Sequence, residues 1–231
     1  MPARSVPLYL HEEIMLLALR DEQGTVALGS MYAYAIGGAL LAELLLAERI
    51  AVEESRKKLV NLTSDKPVGD PLLDECLEKI ATAKRRASAQ TWVQRFARLR
   101  QLKHRVAQRL CDRGILRADE DTILLLFRRK IYPERDPRPE RRLIERLRKA
   151  IFSETRQVEP RTTILISLAH GVGLLHIPFG KKELKARKQR IEQLTRGELL
   201  GKATHDAVRA AQAAVMVACV TPAITAATVT R

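Results

Sequence analysis

Residues 31–48 read MYAYAIGGALLAELLLAE, and this run decides the fold. Glu43 is its single charge before Glu48, so a helix built from it is apolar on nearly every face and has to be surrounded by protein. It is not a membrane span. The most hydrophobic stretch, Ala27 to Ala42, contains Gly29, Ser30, Gly37 and Gly38 and is closed by Glu43, whereas a spanning helix needs about 20 apolar residues. The small residues Ala33, Ala35, Gly37, Gly38, Ala39 and Ala42 let a second helix approach closely. A central helix over Met31–Glu48 is expected, with any membrane contact peripheral.

Working outward, Tyr9 to Arg20 has helical periodicity through Ile14, Leu17 and Ala18 and ends in the turn Asp21-Glu22-Gln23-Gly24. Short strands are expected at Ile50–Val52 and Leu59–Leu62, then a loop from Ser64 to Asp70. Asp70-Pro71 reads as an N-cap with proline in the first helical position, starting a helix through about Lys79. A long helix, Gln90 to Arg113, is stopped by Gly114. Ile115 to Tyr132 reads as a β-hairpin, with a polar turn at Asp119-Glu120-Asp121 and a β-prone run from Ile123 to Phe127. Further helices are expected at Glu140–Phe152, Arg161–His176, Lys181–Leu194 and Ala203–Val220, with Pro222 stopping the last. The fold class is mostly α: a single globular helical domain over residues 1–231, its core at about 8–220, with a protruding β-hairpin. At 231 residues and 46% hydrophobic content, one domain with one large core is the natural expectation.

Lys and Arg number 41 against 27 Asp and Glu, a formal net charge of +14. Between Lys84 and Lys149 there are 21 Lys/Arg and 8 Asp/Glu, so this segment carries almost the whole excess. A basic face is implied, either as a solvated helical surface or as a patch for an anionic partner. Cys76, Cys111 and Cys219 are odd in number and far apart, which indicates neither a disulfide framework nor a zinc site and fits a reducing cytosol. His11, Glu12 and Glu13 arrive before any apolar run long enough for a signal peptide.

No catalytic residue, metal site or cofactor is indicated. His11, His104, His170, His176 and His205 make no metal-ligand spacing, and no serine-centred elbow or phosphate loop is present. Gly171-Val172-Gly173 lies in a helical pattern without the preceding strand of a dinucleotide fingerprint. His170, following an apolar run, reads as a hydrogen-bonded core histidine. A non-enzymatic protein is expected.

The long helix holds one anomaly. Trp92, Phe96, Leu99, Val106 and Leu110 follow the spacing of a core-facing seam, and the seam position between Leu99 and Val106 is Lys103. A buried ammonium must snorkel, meet a carboxylate or face a pocket that receives an anion. Arg100, at i−3, lies on the same side, so the two converge on one phosphate in the functional reading; Glu43 is the alternative, structural partner. The hairpin's exit adds Arg128-Arg129-Lys130-Ile131-Tyr132-Pro133, a basic run followed by an aliphatic and an aromatic residue, which is a membrane-interface composition. The alternative is an ordinary hairpin packing Ile131 and Tyr132 on its own domain.

The order of these pieces resembles the Golgi phosphoprotein 3 family. Leu8 to Leu19 looks like its opening helix and Gly37-Gly38-Ala39-Leu40-Leu41-Ala42-Glu43-Leu44, with Glu48-Arg49-Ile50, like its second. Arg105-Val106-Ala107 through Gly114-Ile115-Leu116, then Leu124-Leu125-Leu126-Phe127, resembles its helix and hydrophobic hairpin, and Leu165 to His170 a later core helix. The likeness runs from about Leu8 to Val217 and rests on the ordered set. It implies an all-α fold with a peripheral hairpin, recognition of phosphatidylinositol 4-phosphate on Golgi membranes in eukaryotes, and glycosyltransferase cargo. Two cationic headgroup ligands of the family fall on Arg100 and Lys103; a tryptophan and an arginine of the family correspond to Leu28 and Gly37, so half of that set is absent. Beginning at the domain, the sequence looks like a prokaryotic member.

The resulting expectation is a cytoplasmic protein, peripheral on the cytosolic face of a membrane, that binds anionic lipids. Arg100, Lys103 and Arg105 are its headgroup ligands, Arg128, Arg129 and Lys130 add attraction, and Ile131 and Tyr132 insert shallowly. The rivals are nucleic-acid binding by the same basic face, which an aromatic content of 4% and the lack of a reader motif disfavour, and a homo-oligomeric adaptor joined through the hairpin.

Overall fold

A computed structural model describes residues 7–20, 25–26, 31–123, 127–155, 157–200 and 211. Among them the chain is mostly helical, with three small antiparallel strand pairs. The expected turn at Asp21–Gly24, the stretch Leu124–Leu126, Leu28, the helix at Ala203–Val220 with its stop at Pro222, Cys219 and His205 lie outside the described residues.

Helix α1, Leu10–Ala18, is buried along its whole length, and so is most of α2, Met31–Leu46. Leu19–Arg20 (β1) pairs with Thr25–Val26 (β2) where α1 ends. β3, Ile50–Val52, pairs with β4, Val60–Leu62, in the register Ile50↔Leu62. α3 is Pro71–Ala81; Asp70 Oδ1 accepts from Leu72 N at 3.0 Å and Leu73 N at 3.1 Å, the cap expected from Asp70-Pro71.

The expected single helix from Gln90 to Arg113 is two helices. α4 is Ala89–Ala97, started by Ser88, and α5 is Leu102–Asp112. Between them, Arg98 N and Leu99 N bond back to Arg95 O and Phe96 O, closing α4 with a tight turn, and Gln101 sits at φ 53. The reason lies in the seam. An unbroken helix would aim Lys103 at the core, where burying an ammonium is costly. The break turns Leu102 inward, 5% exposed, alongside Val106 and Leu110, and leaves Lys103 half-buried. Gly114, at φ 71, ends α5 as expected.

The hairpin also departs from expectation. Its strands are β5, Asp119–Ile123, and β6, Phe127–Ile131, paired Asp119↔Ile131 through Ile123↔Phe127. Asp119-Glu120-Asp121 is therefore strand, not turn; Asp119, Glu120 and Lys130 are exposed, and polar residues suit such strand positions as well as a turn. α6 is Arg138–Phe152, beginning two residues early because Asp136 accepts from Arg138 N at 3.1 Å. The helix expected to reach His176 ends at Gly171 (α7, Pro160–Gly171), and Gly173 at φ 77 leads into a 3₁₀ turn, Leu174–His176. The helix expected at Lys181–Leu194 divides at Arg187 into α8, Lys181–Ala186, and α9, Lys188–Thr195.

α2 packs most extensively on α4 and α1, and α7 closes the bundle against both α1 and α2. One hydrophobic cluster runs from Leu10 to Ala211. The small residues of α2 do what their size allows: a Cβ at Gly37 would lie 2.5 Å from Val93 O and 3.0 Å from Ala97 N, both backbone atoms of α4. Gly37→Ala is expected to force α4 outward and to destabilise the fold by about 1–3 kcal/mol, measured by urea unfolding.

Candidate functional site

The bundle is built around buried carboxylates. Glu12, Glu13, Glu43 and Asp70 are each 5% exposed or less, and each meets an arginine from a later element. Arg113 Nη1 lies 2.7 Å from Glu12 Oε2, Arg146 Nη2 2.8 Å from Glu13 Oε1, and Arg109 Nη2 3.0 Å from Asp70 Oδ2. Arg161 holds Glu43 with two nitrogens, at 2.6 and 3.1 Å, while Leu10 N donates to the same carboxylate at 2.6 Å. Glu43, weighed from the sequence as a partner of Lys103, is thus held by Arg161. Burial raises the carboxyls of Glu12 and Glu13, and Arg113 and Arg146 respectively pull them back toward the ionised form.

Among the described residues the buried histidine is His11, whereas His170, expected in the core, is exposed. His11 stacks on Tyr9, with ring centroids 5.4 Å apart, and its Nε2 lies 4.0 Å from Asp70 Oδ1. Desolvation lowers its pKa to about 4, against the pull of Asp70 and Glu43 and with Arg109 and Arg161 adding to the fall.

These clamps divide the cations of α5. Arg105, Arg109 and Arg113 stand one turn apart on one face, and all three are engaged: Arg105 Nη2 is 2.5 Å from Glu75 Oε2 of α3, and the other two hold Asp70 and Glu12. Arg105, expected as a headgroup ligand, is thus part of the α3–α5 contact. Arg100 is exposed in the α4–α5 junction and lines a cleft toward α3. Lys103 is half-buried in the first turn of α5 beside His104, whose pKa is lowered by burial and then by the charges of Lys103 and Lys130. The i, i+3 relation drawn between Arg100 and Lys103 does not apply across the break at Gln101; they flank the start of α5, which has no side-chain cap. At Gly37, one of the two positions where the family's set is unmatched, the backbone of α4 leaves no room for a side chain.

The hairpin's exit is anchored to the domain. Tyr132 is buried, 2% exposed, and its hydroxyl is 2.8 Å from His104 Nδ1, so its side chain is not presented for insertion into a membrane. Arg117 N donates to Pro133 O at 3.0 Å and Arg135 N to Ile115 O at 2.9 Å, closing the base of the ribbon. Ile131 is half-buried and Lys130 exposed. The register sets Glu120 opposite Lys130 and Asp121 opposite Arg129, with Arg128 opposite Thr122. With three acids in β5 and three cations in β6, the paired strands carry no net charge, and the ribbon's long-range attraction for an anionic surface is weaker than the basic run alone implies.

Sequence reasoning missed the clamps. Their signal was present: Leu10–Ala18 carries His11-Glu12-Glu13 in an otherwise apolar nine-residue helix, and three adjacent polar residues cannot share one solvent-facing stripe.

These features define a helical protein with a charged core, a cationic helix start and a small ribbon rooted beside it. The chain belongs to the Golgi phosphoprotein 3 (GPP34) family, whose model matches residues 10–211. It is similar to the vacuolar protein sorting-associated protein 74 of Schizosaccharomyces pombe, 32% identical over 137 residues, an alignment covering 51% of this chain and 41% of that protein. The match therefore spans less than half of that relative's length. No helix among the described residues is long and apolar enough to cross a membrane.

Removing one partner of a clamp leaves a buried charge. Arg161→Ala is expected to cost about 3–5 kcal/mol in chemical unfolding, with Arg161→Ala plus Glu43→Gln costing less than the sum of the single changes. His11 gives a pH signature. Between its unfolded value of 6.5 and its folded value of about 4, the unfolded chain binds the proton that the folded one refuses, so stability falls as pH drops through this window. Glu12 and Glu13, raised by burial, act in the opposite sense but equally in a His11→Gln variant. The wild type should therefore lose stability relative to His11→Gln by up to about 1.4 kcal/mol per pH unit between pH 6.5 and 4.

Proposed function

We propose that the protein is a non-enzymatic, peripheral binder of anionic phospholipid headgroups, working on the cytosolic face of a membrane. Phosphatidylinositol 4-phosphate is the headgroup that its family membership brings forward, and membrane-protein cargo such as glycosyltransferases and a Golgi setting in eukaryotes follow from the same source. The observation that carries this reading is the start of α5. An exposed Arg100 and a half-buried Lys103 flank a helix N-terminus that no side chain caps. Anions are favoured at such an end by the helix dipole and its unbonded N–H groups, and here two cations stand beside it. A lipid phosphate takes the guanidinium in a bidentate contact and the ammonium as a point charge.

Support for a purely electrostatic hairpin is weaker, because the acids of β5 cancel the cations of β6 in net charge and Tyr132 is buried. The ribbon's part is positional: its exit sets Lys130 beside His104, near Lys103. The net charge of +14 supplies a general attraction that salt screens.

The test is co-sedimentation with neutral, phosphatidylserine and phosphatidylinositol 4-phosphate vesicles at physiological salt, with duplex DNA as competitor. Arg100→Ala plus Lys103→Ala is expected to weaken binding to phosphoinositide vesicles about tenfold or more while leaving the melting temperature within a few degrees of wild type. Equal binding of wild type and variant to all anionic vesicles, or DNA binding without vesicle binding, would refute the headgroup reading.

A further inference from the structure

The α4–α5 junction has a second side, facing α3, most of whose charge neither the arginine clamps nor the start of α5 uses. An open cleft of about 800 Å³ lies there. Its wall carries six cations: Lys79 of α3, Lys84 and Arg85 from the connection to α4, Arg95 of α4, and Arg98 and Arg100 of the junction. Glu75 is the one carboxylate lining it, and it is already engaged, 2.5 Å from Arg105 and 3.5 Å from Lys79. The remaining five cations have no carboxylate partner among the described residues. Arg86, the next residue in the chain, shows the contrast: it turns away and pairs with Glu53.

Like charges gathered on one concave surface repel, and a concave wall strengthens the field that they share. A solvated helix face would scatter such residues among acids. Here three separate segments bring them to one cleft. The cleft also holds Trp92, the chain's single tryptophan, 3% exposed. Its indole N–H is buried without an acceptor among the described residues, and the Arg95 guanidinium lies 4.6 Å above its ring. An unpartnered donor beneath a cluster of cations has the polarity that an acceptor-rich anion satisfies.

We propose that this cleft is a second anion site, for a multiply phosphorylated small group, with Arg95, Arg98, Lys84 and Arg85 as its ligands. The guanidinium groups of Arg95 and Arg98 offer planar pairs of donors to phosphate oxygens, and Lys84 and Arg85 add two further cations to the same lining. The volume suits a phosphorylated ring, not a single phosphate, and the excess of cations suits several charges. The same chemistry is presented by a soluble polyphosphate and by a lipid headgroup that bears more than one phosphate. The site does not depend on the role given to Lys103; Arg100 stands on the border between the two and is left unchanged in the test.

Trp92 makes the site directly readable. The intact chain is titrated with inositol hexakisphosphate at constant ionic strength, following tryptophan emission and melting temperature, with sulfate as control. A saturable emission change with a rise in melting temperature is expected. It should weaken about tenfold or more in Arg95→Gln plus Arg98→Gln, two exposed positions whose replacement leaves the core intact, and persist in Lys103→Ala. The same variants on vesicles carrying phosphatidylinositol 4,5-bisphosphate separate the sources: silence toward the soluble compound with a vesicle-induced emission change lost in the Arg95/Arg98 variant assigns the site to a lipid. The proposal is overturned by a response lost in Lys103→Ala but kept in the Arg95/Arg98 variant, by an equal response to sulfate, or by no response in either arm. It is likewise overturned if duplex DNA gives the tighter response and that is the one the arginine changes abolish.

Discussion

Four carboxylates stand in places that water does not reach, and the architecture follows from the need to neutralise them. Glu12 and Glu13 enter the core because α1 is covered on every side; Glu43 enters because α2 is central; Asp70 caps α3 from within. A buried carboxylate without a partner costs several kcal/mol, so each fixes the position of an arginine brought in by α5, α6 or α7. The clamps thereby tie Glu12, Glu13, Glu43 and Asp70 to arginines between positions 109 and 161, at sequence separations from 39 for Asp70–Arg109 to 133 for Glu13–Arg146. Apolar burial supplies the bulk of the driving force, but it is non-directional; the charge pairs say which helix goes where.

The central helix was legible because its composition leaves one solution: eighteen residues with charges only at Glu43 and Glu48 must be enclosed, and Gly37 marks where the enclosing helix comes closest. The cap at Asp70 and the stop at Gly114 were legible because they rest on local backbone chemistry that needs no tertiary context. The break between α4 and α5 was not. Arg98 to Gln101 contains neither proline nor glycine, and the seam spacing runs through it; what breaks the helix is the tertiary cost of aiming Lys103 at the core, visible in the sequence as an anomaly in the stripe but not as a stop signal. The hairpin's turn was misplaced for a related reason, since the exposed Asp119, Glu120 and Lys130 give no apolar alternation from which to read register.

The candidate site was legible in its residues and not in their division of labour. From sequence, the cations of Lys84–Lys149 form one basic surface. In the fold they take different parts. Arg109, Arg113 and Arg146 neutralise buried acids, and Arg105 joins α5 to α3; Arg86 and Arg138 pair with Glu53 and Asp136; the three cations of β6 are balanced in net charge by the three acids of β5; and Lys84, Arg85, Arg95, Arg98 and Arg100 gather around the α4–α5 junction. Net charge therefore overstates the surface available to an anionic partner, and the helix periodicity of α5 hides the distinction, since Arg105, Arg109 and Arg113 look as exposed on a helical wheel as any solvated stripe.

This separation bears on how a basic protein becomes selective. An anionic membrane attracts every exposed cation over a Debye length of about 8 Å at physiological salt, and such attraction does not distinguish one headgroup from another. Discrimination needs donors held at fixed positions, and a position is held only where the backbone beneath it is rigid. The junction meets that condition. α4 is pressed against α2 at Gly37, and α5 is locked by three arginine–carboxylate contacts, so the four residues between them connect two fixed helices. The charge buried in the core thus does more than specify the fold. By holding α5 in place, it gives the cations at the start of that helix a defined geometry, which separates a binding site from a merely positive surface.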